Sequence, residues 1–363
     1  MAAPATGAAK LPPLPAHWTH RVELGLTDQP GGAKALHKSI PKLRFRYQYL
    51  AGGVNTGDGW RTWNENGTFV DRYIGETEKN HLVPVFSYYM IRQSLPGSGD
   101  TDEPHAVLSN LRNPSTMKAW LGDIRAFLKH AGRFPDTTVV LQVEPDMWGY
   151  GEQAANGDDA ATVQVSQVGS LAGLAQRVVK LRDQLAPNVL LAYHASGWGT
   201  GVDISIQNPS LSDTTKLGRK AGRYYRSLHA RFDLTFTDWS DRDAGFKQDQ
   251  YGAGPEAWWD GADRKRAVRF LDAYSHRARQ RVAVWQIPLG NTMLDDTWGR
   301  YRDNHVQWLL GKHSRKHLRT LAKAGAVAFL FGGGADGTTS ADTDGGYFRR
   351  RANHYYGKPL RLP

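Results

Sequence analysis

The segment VVLQVEPDMWGYG, residues 139–151, sets two carboxylates, Glu144 and Asp146, and an indole, Trp148, directly after an apolar strand-like run. Carboxylates this close raise each other's pKa, so one can hold its proton near neutral pH while the other ionises. Cleavage of a glycosidic bond needs that pairing, with an acid for the leaving oxygen and a base or nucleophile on the other face of the sugar. A further carboxylate, Asp238, closes the segment FDLTFTD, and Asp241 follows it. The sequence therefore offers Glu144 as general acid, Asp146 as its neighbour or substitute, Asp238 as the partner carboxylate and Asp241 in reserve.

Other side chains in comparable positions suit a sugar. Asp28, Tyr88, His194 and Gln286 are donors and acceptors for hydroxyls. Trp148, Trp198, Trp239 and Trp285, four of twelve tryptophans, offer flat apolar faces for pyranose rings.

Elements able to bring these residues together are visible as short apolar or alternating segments bounded by turn residues, at 21–27, 43–50, 82–89, 138–144, 189–195, 232–238, 281–287 and 326–332. Helical spacing lies between them. Met117, Trp120, Leu121, Ile124, Phe127 and Leu128 follow an Asn-Pro-Ser start, and Leu171, Leu174, Val178, Leu181 and Leu185 run up to Pro187. Eight β–α repeats predict an α/β protein with a single TIM-type (β/α)8 barrel over residues 16–363, preceded by an Ala/Pro-rich flexible lead-in over 1–15. A doubly wound sheet is the alternative, but no glycine-rich phosphate loop follows the first strand.

In such a barrel alternate strand residues face the axis, and chemistry sits at the C-terminal strand ends. Taking Val139, Leu141 and Val143 as the helix-facing set of the fourth strand turns Gln142 and Glu144 inward. The same reading puts Glu23, Gly25 and Thr27 of the first strand, Arg46 and Gln48 of the second, and Thr235 and Thr237 of the sixth on the axis, with Arg46 paired to Glu23 or Glu144. Every candidate above falls near a strand end.

With these residues in place the chain resembles the (β/α)8 glycoside hydrolases, and VVLQVEPD followed by NVLLAYHASGWG is similar locally to family six cellulases. The large retaining clan of such barrels carries Asn-Glu on strand four and a glutamate nucleophile at the end of strand seven. Here strand four reads Val-Glu and strand seven ends at Gln286, so the resemblance implies a different carboxylate pairing.

The primary expectation is a glycosidase that cleaves an oligo- or polysaccharide, without metal or cofactor. A metal-dependent sugar isomerase or hydrolase using Glu144, Asp146, His194 and Asp238 is the second reading, and a catalytically silent carbohydrate-binding barrel the third. The loop DGTTSADTDGG, residues 336–346, reads as a mobile substrate loop or a calcium loop.

Composition narrows the classes. No apolar run reaches the roughly 18 to 20 residues that cross a bilayer, and the lack of cysteine excludes disulfides and thiol catalysis. The net charge of +11 keeps an acidic glycan among the candidate substrates. Basic runs at 264–270 and 312–319 read as solvated helix faces, and no nucleic-acid or membrane partner is expected. A monomer is expected, and the lead-in suggests export, with a cytoplasmic N-terminus as the alternative.

Overall fold

The computed structural model describes residues 10–363; residues 1–9 of the expected lead-in lie outside the described residues. Eight parallel strands close into a barrel: β1 (Glu23–Thr27), β2 (Phe45–Ala51), β3 (Val83–Tyr89), β4 (Val139–Val143), β5 (Val189–His194), β6 (Leu234–Asp238), β7 (Val282–Ile287) and β8 (Ala326–Phe331). Each pairs with the next in sequence, and β8 pairs with β1. These are the eight segments expected, and helices pack around them, so the fold is a (β/α)8 barrel. A short antiparallel pair, Gln164–Val165 with Gly169–Ser170, lies outside it. No described helix is long and apolar enough to cross a membrane.

Local chemistry explains the helices. The Asn113 side chain accepts from the backbone N–H groups of Ser115 and Thr116, Pro114 takes the first position, and the helix Pro114–Ala131 then buries Met117, Trp120, Ile124, Phe127 and Leu128. Ser170 caps Leu171–Leu185 in the same way through Gly173 N–H, and that helix stops before Pro187.

One cluster fills the barrel axis, from Phe45 and Tyr47 through Val85, Val140, Leu190, Phe236 and Trp285 to Leu330. Another, containing Leu24, Leu26, Val139, Leu141, Val143, Leu191 and Val284, joins the strands to the helices. At Gly25 a Cβ would come within 2.8 Å of Phe45 Cβ and 2.9 Å of Leu330 Cγ, so glycine there makes room for the axial aromatics.

Two strands are turned the other way from the expectation. In β2 Phe45, Tyr47 and Tyr49 face the axis, while Arg46 points into the helix layer. Its Nε donates to Asp28 Oδ2 at 2.5 Å, Nη1 to Thr77 Oγ1 at 2.9 Å and Nη2 to Glu76 at 3.3 Å, and the guanidinium sits 4.1 Å from the Tyr73 ring centre. A buried guanidinium needs several acceptors, and the helix layer provides them whereas the aromatic axis does not. Gln48, turned the same way, bonds the Gln29 side chain at 2.9 Å. In β6 Leu234 and Phe236 are axial and the Thr235 hydroxyl reaches Tyr274 at 2.9 Å, which leaves Asp238 in axial parity.

The bottom of the barrel is closed by the chain entering it. Trp18 rests 5.0 Å from Phe45, and Arg281 Nε donates to the carbonyl of Pro12, within the expected lead-in, at 2.7 Å. Glu23 is fully buried there, bonded to Thr19 at 2.6 Å, Arg21 at 2.8 Å and Tyr356 at 3.2 Å rather than to Arg46.

Candidate active site

At the C-terminal ends of the strands a cleft of about 460 Å³ opens, walled by Asp146, Tyr89, Tyr150, Trp198, Trp285, Gln286, Tyr49 and the Asp241–Arg242 pair. Strand ends build it because the backbone leaves regular geometry there. Glu144 after β4, Ser240 after β6 and Gln286 in β7 all hold left-handed conformations, with φ of 43°, 57° and 51°. Such conformations cost about 1–3 kcal/mol each and persist where surrounding structure fixes them.

The left-handed turn at Glu144 breaks the strand parity that would have aimed its side chain at the cleft. Its carboxylate instead accepts from Trp120 Nε1 at 2.7 Å and from the backbone N–H groups of Met90 and Ile91 at 3.0–3.2 Å, and is fully buried. Burial pushes its pKa up to about 8 against the pull of those three donors. Glu144 thus ties the end of β3 to the helix behind it and does not line the cleft.

Asp146 does. It stands in the first turn of the helix Pro145–Ala154, half-buried in the cleft wall, and takes a hydrogen bond from the Tyr89 phenol. Burial raises its pKa above the ordinary carboxylate range, and the charges of Asp238 and Glu103 push the same way, outweighing the Tyr89 bond. Asp146 therefore holds a proton more tightly than a free carboxyl does.

Asp238 is set the opposite way. His194 Nε2 lies 3.1 Å from its Oδ1, His194 Nδ1 lies 2.8 Å from Gln142 Nε2, and Gln142 Oε1 accepts from the Ser87 hydroxyl at 2.7 Å. With the amide in this orientation Nδ1 is an acceptor, so the network assigns the ring proton to Nε2, aimed at Asp238. Burial works against the carboxylate, but the His194 bond and the Lys247 charge outweigh it and hold the pKa below the usual range. The Asp238 charge adds to the rise at Asp146, so the two carboxylates at this rim are tuned in opposite directions; Asp238 itself lines a smaller cavity beside the cleft, with Trp198, Thr237 and Ser240.

The remaining candidates divide between cleft and core. Trp198 lines the cleft, packed 4.8 Å from Tyr150, whose phenol bonds Glu103 at 2.7 Å. Trp285 forms part of the floor, edge-on to His194 at 5.7 Å, and its buried Nε1 has no partner among the described residues. Gln286 Nε2 donates to Tyr49 Oη at 2.5 Å; a Cβ at Gly334 would lie 2.6 Å from that same nitrogen, which explains a glycine opposite it. Asp241 is in the wall, paired with Arg242 and 3.9 Å from Lys247.

Trp148, Trp239, Tyr88 and Asp28 are not in the cleft. Trp148 donates to the Val143 carbonyl at 2.6 Å and packs on Tyr193 and Phe232 beneath the helices. Trp239 packs on Trp259, Trp308 and Phe329. Tyr88 is helix-facing and donates to Asp123 at 2.8 Å; its neighbour Tyr89 is the one that reaches the cleft. Asp28 is engaged by Arg46 on the helix side. Sequence reasoning puts Tyr49 and Tyr89 at strand ends and Gln142 on the axis without giving them a role, and does not single out Tyr150, Glu103 or Ser87. Strand alternation is the signal that could have found Ser87, Tyr89 and Tyr49; nothing local marks Glu103 and Tyr150, which reach the rim from helices.

Among the described residues no group of three or more His, Asp or Glu side chains is arranged to hold a metal ion. Glu144 is turned away, and both nitrogens of His194 are engaged. In the 336–346 loop Asp344 is buried and accepts from Gly346 and Phe348 N–H at 2.6 Å, while Thr339 N–H is held by Asp243 at 2.8 Å. The loop is thus held at Thr339 by Asp243 after β6, and Asp344 binds the start of the following helix, Tyr347–Gly357.

No family model and no curated protein matches the chain by sequence. Solved structures match it by shape. An endo-β-1,4-mannanase double mutant of Cellulomonas fimi superposes with a TM-score of 0.53 at 12% identity, over 92% of this chain and 70% of that one. An exo-β-1,4-mannosidase from Opitutaceae bacterium strain TAV5 gives 0.53 at 12% identity over 92% of this chain, which spans 59% of that enzyme. A modular C. fimi endo-β-1,4-mannanase, described among the glycoside hydrolase family 26 mannanases, gives 0.53 at 13% over 93% of this chain and 71% of that one. These likenesses show a shared fold. The GH6 enzyme of Orpinomyces sp. Y102 superposes at a TM-score of only 0.38, so the local likeness to family six cellulases gains nothing from the structure.

Proposed function

We propose that this protein is a glycoside hydrolase that cleaves an oligo- or polysaccharide, with Asp146 as general acid and Asp238 as the ionised partner. The observation that carries the reading is the opposed tuning of two carboxylates at one rim, Asp146 raised and Asp238 lowered. In this mechanism Asp146 gives its proton to the glycosidic oxygen as the bond breaks, with the Tyr89 phenol holding the carboxyl in place. Asp238, kept ionised by His194, supports the developing positive charge at the anomeric carbon, either attacking it or activating water. Trp198 supplies a ring face, while the Gln286–Tyr49 pair supplies polar contacts to hydroxyls.

Shape similarity to mannan-cleaving enzymes puts β-1,4-linked mannans first on the substrate panel, and the departure at Gln286 supports a carboxylate pairing unlike that of the large retaining clan. The test is release of reducing ends from neutral and acidic polysaccharides, with and without chelator. Release that chelator leaves intact and that Asp146→Asn and Asp238→Asn each abolish is the expected result. Binding without release, or release lost with chelator, would overturn the assignment.

A further inference from the structure

The two basic runs of the sequence, 264–270 and 312–319, converge in space. The helices Gly261–Ala278 and Ser314–Lys323 pack side by side on the barrel flank, and a groove of about 640 Å³ runs along them, larger than the cleft at the rim. Arg264, Lys265 and Arg269 from the first helix and Lys316 and Lys323 from the second line it. A single carboxylate, Asp272, is present, and it lies 3.4 Å from His276 on its own helix. Among the described residues Lys265, Arg269, Lys316 and Lys323 take part in no ion pair, whereas Arg266, one position along from Lys265, turns away to Asp263. Unneutralised charge of one sign along a concave wall focuses the field on whatever enters.

Leu211, Val268 and Ala324 add apolar side chains to the lining. We propose that this groove binds an acidic polysaccharide, a sugar chain carrying carboxylates at intervals, at a site separate from the rim. The cations meet the carboxylates, and these apolar side chains meet the C–H faces of the sugars. Arg264 to Asp272 spans about 12 Å of helix, so several cations act on one extended chain. Single-stranded nucleic acid is the less suitable polyanion because it needs free aromatic faces for its bases. The Trp308 ring is occupied by His317, stacked at 4.5 Å, and by Arg264 at 5.3 Å.

The proposal is independent of the chemistry at the rim, because binding is read without turnover. The probes are sodium polygalacturonate, a neutral galactomannan and oligo-thymidylate, titrated calorimetrically against the full chain at low and raised salt. Wild type is expected to bind polygalacturonate with an affinity that falls as salt rises. Lys265→Glu with Lys316→Glu should weaken this at least about tenfold, given two surface charges reversed in sign. Lys323→Glu should weaken it alone, and Lys265→Arg with Lys316→Arg should preserve it, all at unchanged melting temperature. Failure of wild type to bind polygalacturonate, equal affinity in the charge-reversed variants, or tighter binding of oligo-thymidylate through the same lysines would each overturn the proposal.

Discussion

Nε2 of His194 sits 3.1 Å from Oδ1 of Asp238, and the opposite ring nitrogen is fixed by Gln142 at 2.8 Å. Removing the ring in His194→Ala takes away the bond that offsets the burial of Asp238, so the carboxylate pKa must rise. The acidic limb of the pH–rate profile is then expected to move to higher pH. With about 1.5–3 kcal/mol for a charge-assisted bond, activity at the optimum should fall roughly tenfold to a hundredfold. An unmoved acidic limb would show that Asp238 does not set it.

Asp146→Asn removes the proton donor and leaves the cleft intact. Loss of a general acid costs about 10²–10⁴ in rate. The loss should be large on a polysaccharide and small on an aryl glycoside whose leaving group departs unprotonated. Because the Asp146 pKa is raised, wild-type activity should decline as pH rises through it, and the variant should lose that alkaline limb. Equal losses on both substrates would remove Asp146 from the acid role.

Glu144 and Glu152 are both buried with pKa values pushed up to about 8, by burial first in each case. A carboxyl raised in the folded state binds more protons there than when unfolded, so its contribution is fully present below its unfolded value and is lost as pH rises toward 8. Each group should lower stability by about 1.4 kcal/mol per pH unit across that window. Chemical denaturation at stepped pH is expected to show this fall, reduced in Glu144→Gln by that group's share while Glu152 and Asp243, the latter pushed up to about 7, keep theirs. An unchanged slope in the variant would mean that Glu144 is ionised in the fold, satisfied by Trp120, Met90 and Ile91.

Trp198 and Trp148 separate binding from folding. Trp198→Ala should raise KM, because a ring face stacked on a sugar contributes about 1 kcal/mol to binding, and should leave the melting temperature nearly unchanged. Trp148→Ala opens a cavity between Tyr193 and Phe232 and should cost about 3–5 kcal/mol of stability. Paired thermal melts and saturation curves decide both.

Much of this molecule is written locally. Strand-length apolar segments, the Asn113 and Ser170 caps and the Pro187 stop depend on neighbours in the chain, and all eight strands lie where alternation and turn residues put them. The axial residues of β4 are legible for the same reason. The orientation of β2 is not, because Arg46 finds its acceptors on Asp28, Thr77 and Glu76, partners from other elements that only folding brings near.

The site shows the same division. Sequence alone determined that carboxylates, a histidine and indoles gather at strand ends. Tertiary structure decided which of them face the cleft. A left-handed turn at Glu144 hands that residue to Trp120 and gives the cleft to Asp146, and close packing under the helices takes Trp148 and Trp239 into the core. The physical reason is that residue type and spacing fix what a side chain can do. Backbone conformation at a strand end, and the partners that satisfy a buried polar group, are settled by contacts distant in sequence.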